Sequence, residues 1–138
     1  MKPRRIRIIV VDDEPDMQMF LSTLLRENGF EPIVARDAAE GLEKARSLDP
    51  SCILLNAMIP DEEGSSMYVN LKCDERLKTV PVIMFSSIAK KIMTQFKYFQ
   101  SLPDGRPLPE PEAFLESPPD TEELLREIHR LAGEKKSA

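Results

Sequence analysis

The sequence predicts an α/β protein built on a doubly wound, five-stranded parallel sheet. Short runs rich in β-branched residues alternate with segments of helical periodicity, and the pair occurs five times without any sequence repeat. The third run, residues 52–55, is wholly apolar, which is typical of a strand buried on both faces of a parallel sheet. Such alternation implies right-handed crossovers that place helices on both faces of the sheet.

Five segments are predicted as strands from their β-branched and aromatic content. They cover residues 5–11, 30–35, 52–55, 81–85 and 113–115.

The helices are predicted from their end signals and from apolar residues at helical spacing. Pro15 suits a first helical turn, and Gly29 suits a helix stop. Asp37 and Asp120 each stand three residues before a glutamate, as in a capping box. The residues expected at helical spacing are Met17, Phe20, Leu21, Leu24 and Leu25; Ala38, Leu42, Ala45 and Leu48; Met67, Leu71 and Leu77; Ile88, Ile92, Phe96 and Phe99; and Leu124, Leu125, Ile128 and Leu131.

One segment breaks the alternation, between the fourth and fifth β-α units. Residues 102–112 contain four prolines, which cannot continue a helix or a central strand. We interpret about residues 101–112 as an ordered surface insertion, with a small hairpin as one form that it could take. The length of 138 residues then predicts one domain over residues 1–138.

Composition excludes several classes of function. The net charge of −5 argues against direct nucleic-acid binding, because phosphate backbones attract basic surfaces. The sequence has neither a membrane-spanning run nor a signal segment, so we expect a cytoplasmic protein that does not contact membranes. Cys52 and Cys73 have no metal-ligand spacing and are expected to be reduced.

Polar residues follow four of the predicted strands and should share one pocket. Asp12 and Asp13 follow the first strand, Asn56 the third, Ser86 the fourth and Ser117 the fifth. Ligands of doubly wound sheets bind at the carboxyl ends of the strands. Adjacent acids there repel each other unless a hard cation such as Mg²⁺ neutralises them. The alternative is that Asp13 only caps the first helix.

At this point the motifs resemble those of response-regulator receiver (CheY-like) domains. Residues 10–15 (VVDDEP) resemble the family's acidic signature, and residues 53–60 (ILLNAMIP), followed by Gly64, resemble the phospho-acceptor strand and its loop. Residues 81–86 (PVIMFS) and 114–118 (FLESP) resemble the fourth and fifth strand motifs. The resemblance covers nearly the whole chain outside the insertion. It implies the flavodoxin-like strand order 2-1-3-4-5.

The resemblance also implies a role in a phosphorelay. In the family, a histidine kinase supplies a phosphoryl group to an aspartate, paired acids hold Mg²⁺, and a hydroxyl residue and a lysine bind the phosphoryl oxygens. Carried over, Asp12, Asp13 and the carbonyl of Met58 are the metal ligands, and Ser86 is the hydroxyl residue. Phe114 matches an aromatic that changes rotamer in the family, but we favour a fixed core residue here. The resemblance further implies that partners recognise the face formed by the fourth helix, the fifth strand and the last helix.

Two departures from the family pattern decide the expected mechanism. The acceptor position holds Asn56, whose amide cannot form an acyl phosphate, and the lysine position holds Ser117. One negative and one positive charge are thus lost together, and any bound Mg²⁺ should be held weakly. A laboratory Asp→Asn substitution would have left the lysine in place, so the double departure favours natural degeneracy over an engineered acceptor mutant.

The leading hypothesis is therefore a pseudo-receiver that binds a protein partner and is not an enzyme. The partner is a histidine kinase, an output domain or another signalling protein, and pairing of two copies is left open. We expect Ile92, Phe96, Tyr98 and Phe99, with the insertion, to help build the partner surface, although these aromatics could instead pack on the sheet.

Two other functions compete with the pseudo-receiver. One is a phosphorylated receiver that uses another acid, Asp12 or Asp13, as the acceptor. The other is a flavodoxin-like nucleotide binder, for which the acids after the first strand are unfavourable because they would repel a phosphate.

Overall fold

The computed structural model describes residues 6–56, 63–86, 105–107 and 109–133. The helix predicted over residues 88–99, the proposed metal ligand Met58 and part of the insertion lie outside these ranges. The expected partner-surface residues, Ile92, Phe96, Tyr98 and Phe99, also lie outside them.

Five parallel strands form one sheet in the order β2-β1-β3-β4-β5, which confirms the predicted class and strand order. β3, β4 and β5 each extend one residue further than expected, to Asn56, Ser86 and Glu116. We expected these residues just after the strands, but they continue the backbone pairing, Asn56 with Phe85 and Ser86 with Glu116. The strands are β1 (Arg7–Val11), β2 (Glu31–Ala35), β3 (Cys52–Asn56), β4 (Val82–Ser86) and β5 (Ala113–Glu116).

The four helices that the structure describes begin and end largely where their sequence signals indicated. Asp37 and Asp120 accept hydrogen bonds from the backbone N–H groups three residues on, at 2.8 and 3.0 Å, so both predicted caps are confirmed. Gly29 follows the first helix with a φ of +87°, the left-handed conformation that favours glycine. The helices are α1 (Pro15–Glu27), α2 (Ala38–Leu48), α3 (Glu63–Cys73) and α4 (Thr121–Ala132).

One predicted helical position, that of Leu77, is wrong. Leu77 lies beyond the end of α3, in a turn where the Asp74 carboxylate accepts the N–H groups of Arg76 and Leu77. Leu77 is nevertheless buried, so the sequence indicated its burial but not its local structure. Phe20 is helical as predicted, but it lies at the edge of the apolar stripe of α1 and is 37% exposed.

The core has two layers, one on each face of the sheet. α2 and α3 cover one layer, and α1 and α4 cover the other. In β3 the side chains alternate between them, so that Ile53 and Leu55 face the first layer and Cys52 and Leu54 face the second. Within the described ranges, no helix is long and apolar enough to span a membrane.

Gly41 permits the close packing of α2 on the sheet. A Cβ atom at this position would lie 2.8 Å from Met67 Cε and 3.0 Å from Val11 Cγ2. We expect Gly41→Leu to lower the free energy of unfolding by about 1–3 kcal/mol through overpacking. Urea unfolding measures the loss, with Ala39→Leu on the exposed side of α2 as the control. Equal stability of the two variants would contradict this account.

Candidate functional site

The predicted pocket residues lie at the carboxyl edge of the sheet. Asp12 directly follows β1 and Asn56 ends β3, and the register of these strands brings the two residues side by side. Asn56 Nδ2 donates a hydrogen bond to Asp12 Oδ2 at 3.1 Å. On the neighbouring strands, the backbone N–H of Ser117 donates to the carbonyl of Ser86 at 3.0 Å. The structure therefore brings these residues together as two bonded pairs on adjacent strands.

Asp12 is fully buried, and both of its carboxylate oxygens accept hydrogen bonds. Oδ1 accepts the backbone N–H of Glu14 at 2.8 Å, and Oδ2 accepts the Asn56 amide. Burial raises the pKa of the Asp12 carboxyl, because a charged group is poorly solvated there. The two hydrogen bonds oppose this rise in pKa, whereas the nearby charges of Asp13 and Glu14 add to it.

Asp13 is exposed and does not cap α1. The N-cap residue is Glu14, whose side chain makes no capping hydrogen bond, and the helix begins with Pro15. The alternative that Asp13 serves only as a helix cap is therefore wrong. Asp13 directly follows Asp12, and its charge helps to raise the pKa of the Asp12 carboxyl.

The other predicted pocket residues differ in exposure. Ser86 is fully buried at the end of β4, and Ser117 is half-buried after β5. Phe114 pairs with Met84 across the β4–β5 ladder and packs, half-buried, against the α2–α3 layer of the core. This packing fits the interpretation of Phe114 as a core residue.

The Asn56 amide changes what the pocket can bind. A carboxylate oxygen only accepts hydrogen bonds, so the amide nitrogen of Asn56 must be the atom that faces Asp12. That nitrogen carries two hydrogens and cannot ligate a metal ion. Among the residues that the structure describes, no three acidic, histidine or cysteine side chains form a metal-binding group. With an amide in place of one carboxylate, the described donor set suits Mg²⁺, which prefers oxygen ligands in near-octahedral geometry, less well than three carboxylates would.

Sequence reasoning missed Gln18, which supports the pocket from α1. Its Nε2 donates to the backbone carbonyl of Asp12 at 2.6 Å and so fixes the turn that follows β1. No sequence signal distinguishes this glutamine from an ordinary polar residue on the solvent side of a helix.

Comparisons with known proteins agree with this geometry. A family model described as the response regulator receiver domain matches residues 8–100. The DNA-binding regulator RpaA of Synechocystis sp. is 30% identical over 91% of this chain, and the match covers 48% of RpaA. The polar-differentiation regulator DivK of Brucella ovis is 36% identical over 61% of this chain and 68% of its own length. Some curated relatives are thus much longer, and this chain spans about half of RpaA.

Solved structures show the same fold. A sensor protein from Polaromonas sp. JS666 superposes with a TM-score of 0.79 at 25% identity, covering 94% of this chain and 97% of that protein. The receiver domain of a Pseudomonas aeruginosa sensor histidine kinase superposes with a TM-score of 0.76 at 21% identity, covering 95% of this chain and all of that one. That domain was solved with magnesium coordinated in its active site cleft. The chain is therefore a member of the response regulator receiver domain family.

Proposed function

We propose that this receiver domain is a pseudo-receiver, which signals by binding a protein partner without phosphorylation at position 56. The observation that carries the proposal is the hydrogen bond from Asn56 Nδ2 to Asp12 Oδ2. The acceptor position presents an N–H donor to its neighbour instead of a nucleophilic oxygen. An amide is a far poorer nucleophile than a carboxylate and cannot form an acyl phosphate.

The same bond supplies part of what a cation would supply. Asp12 is a buried carboxylate, and a buried charge is costly unless it is paired or hydrogen-bonded. The Asn56 amide and the Glu14 N–H satisfy it with groups of the chain itself. Ser117 stands where the family places a cationic lysine. The pocket is thus compatible with a folded state that requires neither a metal ion nor a phosphoryl group.

Surface features of α1 support a binding role. Met19 is 71% exposed and Phe20 is 37% exposed on this helix. A groove of about 540 Å³ borders Phe20 and is also lined by Glu14, Pro15, Asp16, Met17 and Pro118. Exposed apolar residues rimmed by charged ones are typical of surfaces that contact other proteins. This surface adds to the one expected from residues 92–99 and the insertion.

A phosphorylated receiver that uses another acid is the second candidate. Asp12 suits this role poorly, because it is fully buried and both of its carboxylate oxygens already accept hydrogen bonds. Asp13 is exposed and is the acid that a phosphodonor would reach. Membership of the receiver family argues against the flavodoxin-like alternative.

Intact mass spectrometry after incubation with Mg²⁺ and acetyl phosphate tests the proposal. We expect no mass gain for the natural chain and one phosphoryl group on the variant Asn56→Asp/Ser117→Lys, which restores both family residues. A base-labile phosphoryl group on the natural chain would show that another carboxylate is the acceptor and would overturn the proposal. The variant Asp13→Asn would then show whether Asp13 carries that group.

A further inference from the structure

A second polar cluster lies at the amino edge of the sheet, opposite the pocket. It consists of Tyr68 and Lys72 on α3, together with Pro109 and Glu112 at the end of the insertion. These residues are about 40 positions apart in sequence, since the Tyr68–Pro109 pair spans 41 residues and the Lys72–Glu112 pair spans 40. The cluster therefore links the end of the insertion to α3, a helix that is distant from it in sequence.

Tyr68 provides the first tie. Its side chain is fully buried in the α2–α3 core layer, and its hydroxyl donates to the Pro109 carbonyl at 2.6 Å. A buried tyrosine hydroxyl requires a hydrogen-bond partner, because an unsatisfied one costs free energy. The Pro109 carbonyl, in the insertion, accepts this hydrogen bond. A core residue of α3 is therefore hydrogen-bonded to the insertion.

Glu112 provides the second tie and connects three elements. Its Oε1 accepts the backbone N–H of Val82 at 2.7 Å, and its Oε2 lies 3.4 Å from Lys72 Nζ. Its backbone carbonyl accepts a hydrogen bond from Arg130 Nη2 at 3.3 Å. One residue thereby joins α3, the start of β4 and the end of α4.

Lys72 is the buried cation of the cluster, with only 6% of its surface exposed. Besides Glu112, its ammonium lies 3.4 Å from the carbonyl of Lys78 and 5.4 Å from the centre of the Tyr68 ring. A buried ammonium is tolerated only with such compensation. Loss of Glu112 would leave this charge without its anionic partner.

Glu112 directly precedes β5, which is four residues long and lies at the edge of the sheet. The β4–β5 ladder begins with Ile83 opposite Ala113. The Glu112 carboxylate adds one further contact to β4 at Val82, beyond that first pair. At the other end of the strand, the Ser117–Ser86 backbone bond continues the pairing. β5 is therefore held at both ends.

We propose that Tyr68, Lys72 and Glu112 form a latch by which the insertion holds β5 and α4 in one conformation, independently of the pocket. The inference rests on the proposed function and deepens it. A pseudo-receiver requires some feature other than phosphorylation to fix the conformation of β5 and α4. The latch also gives the insertion a role beyond that of a surface loop.

Amide hydrogen exchange measured by NMR tests the latch. We expect Glu112→Ala to speed exchange in β5 about tenfold beyond any change in β1 and β3, because it removes both the ion pair with Lys72 and the carboxylate that accepts the backbone N–H of Val82. Tyr68→Phe, which removes only the hydroxyl, should act in the same direction and serves if Glu112→Ala does not fold. The control is Glu110→Ala, an exposed glutamate of the same segment.

Two results would overturn the latch: unchanged amide exchange in β5, or an equal acceleration of exchange in all the strands. A contact that only supports the fold changes global stability and so affects every strand alike. The experiment contains neither phosphodonor nor partner. Its failure therefore leaves the pseudo-receiver proposal intact, and phosphorylation of the natural chain would refute that proposal without altering the exchange data.

Discussion

Asn56→Asp is expected to lower the free energy of unfolding by about 2–4 kcal/mol in metal-free buffer at neutral pH. The substitution removes the donor of the bond to Asp12, and hydrogen bonds to charged groups contribute about 1.5–3 kcal/mol. It also places a second carboxylate beside the buried one, about 3.1 Å from Asp12 Oδ2 where the amide nitrogen now lies. Two like charges at that distance disfavour each other's ionised forms.

Adding Mg²⁺ distinguishes repulsion between the two carboxylates from a simple loss of packing as the cause of the lower stability. A third carboxylate would complete the oxygen-rich site that the cation prefers, so saturating Mg²⁺ should recover most of the lost stability of Asn56→Asp. The natural chain should gain little. Urea unfolding in EDTA and in Mg²⁺ gives the four values required for the comparison.

Asn70→Asp is the matched control, because Asn70 is exposed on α3 and the chemical change is identical. We expect it to alter stability by at most about 0.5 kcal/mol, as most surface substitutions do. If Asn56→Asp were as stable as the natural chain without metal, the amide would not be compensating the buried Asp12 carboxylate.

Ser117→Lys should partly restore the stability that Asn56→Asp loses. Adding a cation near the pocket offsets the extra carboxylate of Asn56→Asp, so the double variant should be more stable in EDTA than Asn56→Asp alone. The opposite charges lost at the two positions would then compensate each other.

Local signals account for the part of the fold that the sequence predicted. The apolar run of β3, the caps at Asp37 and Asp120, and Gly29 after α1 each act within a few residues, so they are legible without a structure. The polar ends of the strands indicated the pocket because parallel strands bring their carboxyl ends to one edge. That geometric rule brought Asp12 and Asn56 together across 44 residues of sequence.

Long-range polar contacts account for the part that was not predictable. Tyr68 and Lys72 lie on the buried face of α3, where a tyrosine and a lysine would ordinarily indicate the edge of an apolar stripe. The proline content of the insertion does not indicate that its end contacts these two side chains. Leu77 was misplaced for a related reason, because its hydrophobicity indicates burial whether it lies on a helix or in a turn.

Leu54→Ala is expected to lower the free energy of unfolding by about 2–5 kcal/mol, because Leu54 lies on the central strand β3. Leu54 is fully buried and packs in the layer covered by α1 and α4, and strands on both sides pair with β3. The surrounding structure can therefore collapse only partly into the cavity. Urea unfolding measures the loss, and Met19→Ala on the exposed side of α1 is the control, expected to change stability by at most about 0.5 kcal/mol. A loss below about 1 kcal/mol for Leu54→Ala would mean that the two helices can close over β3, which is incompatible with a core fixed from both faces of the sheet.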